Sequence, residues 1–236
     1  MTDHAPDSSP PSPTGIPVWD LPTRLFHWLL VLLILDAWVS YKFGDPMMRW
    51  HQWNGLAILT LILYRFFWGL WGSSTARFRQ FAAGPGAVIR YLLGVLRGEK
   101  RHWLGHNPAG GWSVLALLTV IGAQGVFGLF ATDDVLASGP LNFLVSDPTA
   151  SRLTRLHQLG FWAILALVGG HLSAVFFYLL VQNENLIRPM ITGCKPPEQV
   201  PPGERAVFRS PWLALATLLL AALLAWLGIS AWKWKG

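Results

Sequence analysis

The stretch SRLTRLHQLGFWAILALVGGHLSAVFFYLLV, Ser151 to Val181, decides the fold. Past its first few residues it is almost wholly apolar, and it is longer than the ~20 residues that a helix needs to cross a hydrocarbon core of ~30 Å. Inside it, His157 and His171 sit fourteen residues apart. At 3.6 residues per turn that spacing is close to four whole turns, so both imidazoles leave the same helix face, ~21 Å apart along the axis. One ring therefore belongs near each side of a membrane. Ionisable residues inside a span are expensive and face the bundle interior or a cavity, so function is the first hypothesis for both.

The rest of the chain supports a membrane setting. Of its 236 residues 53% are hydrophobic and only 13% charged, where a soluble domain carries about a quarter charged. Several of its 14 Trp fall at the ends of apolar runs, where amphipathic rings prefer the headgroup level. The net charge of +6 comes from basic residues in loops between apolar runs, which suits membrane topology and not a nucleic-acid surface. The single cysteine, Cys194, excludes an internal disulfide, and no C-x-x-C-H run is present, so any haem is held non-covalently. The Pro- and Ser-rich start, residues 1–17, reads as a disordered tail without signal-peptide features, so the first span is expected to be retained.

Five spans can be marked: Leu25 to Phe43, Arg49 to Trp71, Gly111 to Ala131, Leu153 to Val181 and Trp212 to Trp232. Asp20 and Pro22 open the first with a capping residue and a helix-start proline. Gly84 to Gly98 is too short to span and carries Arg90 and Arg97, so it reads as an interfacial helix. The loop after span two holds Arg77, Arg79, Arg90, Arg97, Lys100 and Arg101, and span four is followed by Arg188, Lys195, Arg205 and Arg209. The loops after spans one and three are poorer in cations, and the latter holds Asp133, Asp134 and Asp147. The positive-inside rule then places the N-terminus in the cytoplasm, with Lys233 and Lys235 as a mild conflict.

That direction gives each histidine a depth. His27 lies near the cytoplasmic start of span one and His51 near the outer start of span two. His157 is outer and His171 inner. Depth pairs His51 with His157 and His27 with His171, each pair able to clamp one haem iron from both axial sides, as sites in helix bundles are built from facing helices. Zinc is the competing metal, but structural zinc gathers its ligands in one place. Iron with two axial imidazoles has no open position for oxygen chemistry, so electron transfer is its natural task. His4 reads as solvated, and His102 and His106 as structural or headgroup-facing. Gly160, Gly169 and Gly170, within a turn of the histidines, are expected to leave room for a flat macrocycle, with close helix packing as the alternative. Asp36 is expected to be an interfacial polar residue.

The stretches VWDLPTRLFHW (Val18 to Trp28), WHQWNG (Trp50 to Gly55), YRFFWGLWGS (Tyr64 to Ser73), LGHNPAGG (Leu104 to Gly111), LTRLHQLG (Leu153 to Gly160) and ENLIRPMITGCK (Glu184 to Lys195) resemble the bacterial cytochrome b561 family, and more narrowly its hydrogenase-type cytochrome b subunits. The resemblance covers roughly residues 16 to 196. It implies a four-helix di-haem core in the bacterial inner membrane, with His27, His51, His157 and His171 on the family's ligand positions, passing electrons between a periplasmic donor and the quinone pool.

The expected architecture is therefore an all-α integral membrane protein. It has a disordered tail at 1–17, a four-helix transmembrane bundle holding two non-covalent b haems at 18–196, and a linker with a fifth transmembrane helix at 197–236. Electrons are expected to pass from a periplasmic redox protein, hydrogenase-like or a cytochrome c, through the outer and then the inner centre to quinone. Arg24 and Glu184 mark the helix ends where quinone is expected. The alternative is a stand-alone superoxide:quinone oxidoreductase, which would need a cationic outer funnel. Lys42, Arg49, Arg152 and Arg155 could supply one, opposed by Asp133, Asp134 and Asp147.

Overall fold

The computed structural model describes residues 15–133 and 137–233. The tail up to residue 14 with His4, as well as Asp134 and Lys235, lies outside the described residues. Five long apolar helices carry the architecture: α1 (Leu21–Lys42), α2 (Asp45–Trp71), α5 (Pro108–Phe130), α6 (Asp147–Leu180) and α8 (Pro211–Lys233). Between α2 and α5 lie the single-turn α3 (Phe78–Phe81) and the amphipathic α4 (Pro85–Leu96), and α7 (Ile187–Thr192) follows α6. Large apolar side chains remain exposed all round the long helices, among them Leu32, Trp162, Leu180 and Trp212. Helices satisfy their own backbone groups, so such a surface is at home in lipid and a liability in water.

The helix starts follow local chemistry. Asp20 caps α1 by accepting from the Thr23 amide at 2.8 Å, a cap of the kind worth about 1 kcal/mol. Its second oxygen accepts from Trp68 Nε1 at 3.2 Å, tying the start of α1 to the end of α2. Asn107 caps α5 by accepting from the Gly110 amide and donates to the Tyr178 hydroxyl on α6. One end of the bundle thus gathers the start of α1, the end of α2, the start of α5 and the end of α6. The same end carries a short antiparallel pair, β1 (Ile16–Pro17) with β2 (Cys194–Lys195). The expected disordered tail is corrected at its last residues: Ile16 and Pro17 are ordered because their backbone pairs with Cys194 and Lys195.

α1 packs along α2, α2 along α5, and α5 along α6. α8 lies against α2 through Ala214, Thr217 and Ala221, a strip of small buried residues. Close approach over small side chains is how helices associate in lipid. Trp71 Nε1 donates to Thr217 Oγ1 at 3.0 Å across this contact. α6 has 34 residues, ~51 Å of helix, and begins six residues before the expected span because its first turns are polar.

Candidate metal centres

The four expected histidines lie in two places. His51 on α2 and His157 on α6 have ring centroids 6.1 Å apart. His27 on α1 and His171 on α6 have theirs 6.5 Å apart, at the end of the bundle that carries β1 and β2. Among the described residues, no group of three or more His, Cys, Asp or Glu gathers as a chelating cluster. The rings meet two by two.

These spacings have a chemical meaning. Imidazole nitrogen binds a transition metal at ~2.0 Å, and the ring centroid lies roughly 1 Å further back. Two imidazoles on opposite sides of one ion therefore have centroids about 6 Å apart, which is what both pairs display. His51 Nδ1 lies 2.9 Å from the Ala37 carbonyl of α1, and His157 Nδ1 lies 2.9 Å from the Gln124 carbonyl of α5. A carbonyl only accepts, so each Nδ1 carries the proton and each Nε2 keeps its lone pair for a metal. A hydrogen bond of this kind fixes the tautomer and ring orientation that a metal-binding histidine needs. His27 Nδ1 is buried without a hydrogen-bond partner among the described residues.

The surroundings allow a flat group. A Cβ on Gly55, one turn after His51, or on Gly169 or Gly170, just before His171, would meet nothing within 4 Å. Gly160 differs: a Cβ there would lie 2.1 Å from Gln124 Oε1, so its absence serves the close packing of α5 on α6. The expectation of clearance for Gly160 is thereby corrected. Gly128 likewise brings α5 against the His157 ring, where a Cβ would lie 2.9 Å from Cε1.

Comparison with known proteins completes this picture. The chain matches the family described as prokaryotic cytochrome b561 over residues 18–193. The chain belongs to that family. Relatives from two strains of Escherichia coli, each described as a probable Ni/Fe-hydrogenase 1 B-type cytochrome subunit, are 21% identical over 211 residues, covering 75% of this chain and 88% of theirs. It is a multi-pass membrane b-type cytochrome, a haem protein of electron transfer. The paired imidazoles, the nitrogens left free by the Nδ1 hydrogen bonds and the open glycine faces fit haem b.

Several polar side chains have surroundings that the sequence does not reveal. Arg65, inside α2, is only 2% exposed and stands over the Phe78 and Phe81 rings at 5.3 and 5.9 Å. His106 packs its ring 4.8 Å from those of Trp19 and Phe81. Burial, with the nearby Arg65 and Lys195 charges, pushes the His106 pKa down to about 3, so the ring is neutral at physiological pH. Lys195 is not a loop cation at the surface. It is 3% exposed and donates to Glu184 Oε1 at 3.0 Å and to the Trp103 carbonyl at 2.9 Å. Arg24, on α1, donates to the Ile191 carbonyl of α7, which fastens the segment after α6 to the bundle. Asp36 accepts from Trp50 Nε1 and Asn54 Nδ2, joining α1 to α2.

Proposed function

We propose that this cytochrome carries electrons across the bacterial inner membrane between a periplasmic redox partner, a hydrogenase-like protein or a cytochrome c, and the quinone pool. The observation that carries the reading is the two facing imidazole couples, His51 with His157 and His27 with His171, that share α6. His51 and His157 would hold the outer of two b haems, and His27 and His171 the inner. Bound there, haem b supplies reversible one-electron chemistry without an open coordination position. The chain's own work is orientation. Ala37 and Gln124 fix the tautomer of the outer ligands through their carbonyls, and α6 sets the two centres ~21 Å apart.

The loops support a cytoplasmic N-terminus, because Arg77, Arg79, Arg90, Arg97 and Arg101 follow α2. Quinone would be served at that end of the bundle, beside the inner centre. The description of the Escherichia coli relatives as hydrogenase cytochrome subunits supports a partner of that kind.

The test is the purified chain in proteoliposomes containing a quinone, with a reduced cytochrome c or a reduced viologen supplied on one side only. The expected result is haem reduction followed by quinol accumulation that requires the chain. Haem reduction without quinol would contradict the quinone assignment. Quinol formation from superoxide alone, with no redox partner, would move the assignment to a stand-alone oxidoreductase.

A further inference from the structure

The buried cation Arg65 forms no ion pair among the described residues, although the Asp20 carboxylate lies within electrostatic reach of it. Its Nη1 is buried without a hydrogen-bond partner among the described residues. Asp20 gives its hydrogen bonds elsewhere, accepting from the Thr23 amide and from Trp68 Nε1, and Glu184 pairs with Lys195 and His102. The aromatic faces of Phe78 and Phe81 soften the environment without supplying negative charge. A guanidinium donor removed from water and left without a hydrogen-bond partner is unfavourable. His106 Nδ1, beside the same Phe81 ring, is also buried with no partner.

Two buried nitrogens without partners, Arg65 Nη1 and His106 Nδ1, thus belong to side chains that flank the same Phe81 ring, and a guanidinium so placed is a receptor for an anion. The place identifies which anion. Phe26, the neighbour of His27, packs on Tyr64, the neighbour of Arg65, with centroids 6.3 Å apart. His106 lies within electrostatic reach of both His27 and His171. We propose that Arg65, assisted by His106, binds the carboxylate side chains of the haem held by His27 and His171. The inference rests on the assignment of that pair as haem ligands. Haem b brings two propionate carboxylates and no positive side groups, and guanidinium is the side chain whose geometry matches a carboxylate. The arrangement makes Arg65 a positioning residue and an electrostatic neighbour of the inner centre. Its positive charge favours the reduced form, which carries one more negative charge.

The experiment is an optical redox titration of the full-length chain in detergent, following both haems, for the parent, Arg65→Gln and Arg65→Lys. In Arg65→Gln the midpoint potential of the inner haem is expected to fall while that of the outer haem stays where it was. Arg65→Lys should restore most of the difference, since it keeps the charge. Reconstitution with haem dimethyl ester, whose side chains carry no charge, should abolish most of the difference between Arg65→Gln and the parent. If Arg65→Gln does not fold, the parent loaded with the ester must itself show an altered inner potential. An inner potential unmoved by Arg65→Gln, or an Arg65→Gln effect equally large with the ester, overturns the proposal. Retention of the inner haem in both His27→Ala and His171→Ala would instead overturn the ligand assignment beneath it, so the two failures are distinguishable.

Discussion

His157→Ala is expected to purify with one haem in place of two, and the haem lost is the outer one. The ring of His157 faces His51 at 6.1 Å, and its Nδ1 is engaged by the Gln124 carbonyl, so only Nε2 is available to a metal. Alanine removes that nitrogen, and only His51 would be left to hold the outer haem. Losing a residue that merely orients a ligand already costs 10- to 100-fold in metal affinity in general, and losing the ligand costs at least about that. The inner pair shares α6 but lies four turns away, so its spectrum and potential should persist. Haem quantification with a reduced-minus-oxidised spectrum checks this. Loss of both haems would mean that the centres are not independent, and loss of the inner one alone would mean that the histidines are paired wrongly.

The mirror change, His171→Ala, is expected to have the larger functional effect. The inner haem is lost, the outer one remains reducible by a periplasmic-side donor, and quinol formation in proteoliposomes falls by about 100-fold or more on the same affinity argument. The combination is diagnostic, because a general folding defect would also remove outer reduction. Stopped-flow reduction of the remaining haem, alongside quinol assay, separates the two. Normal quinol formation in His171→Ala would place quinone on the outer side and reverse the proposed path.

Much of this was legible in the sequence. The five spans follow from apolar length, and the cap of α1 from Asp20 with Pro22. The facing of His157 and His171 follows from helical period alone, because fourteen residues return to the same face whatever the neighbours do. The depth argument that joins His27 to His171 and His51 to His157 needed only loop charge, and the structure brings those rings together. What sequence could not show is which polar groups are buried without partners. Arg65 looks like one more cation at the end of a span until Phe78 and Phe81, from the following loop, cover it. Lys195 counts as an inside-loop charge until the pairing of β1 with β2 and the approach of Glu184 enclose it. His106 reads as a loop histidine until Trp19, from before α1, closes over its ring. Each of these depends on a contact between segments far apart in the chain or on a loop conformation that no local pattern encodes. Gly160 shows the same limit at a helix face, since the partner that occupies its missing side chain, Gln124, comes from another helix.

The most direct test of the central claim is the haem-to-protein ratio of the purified parent chain, measured by pyridine haemochrome against amino-acid analysis. Two b haems per chain, falling to one in any single replacement of His27, His51, His157 or His171, is the expected result. A parent chain with one haem or none, or one whose haem content survives those replacements, would contradict it.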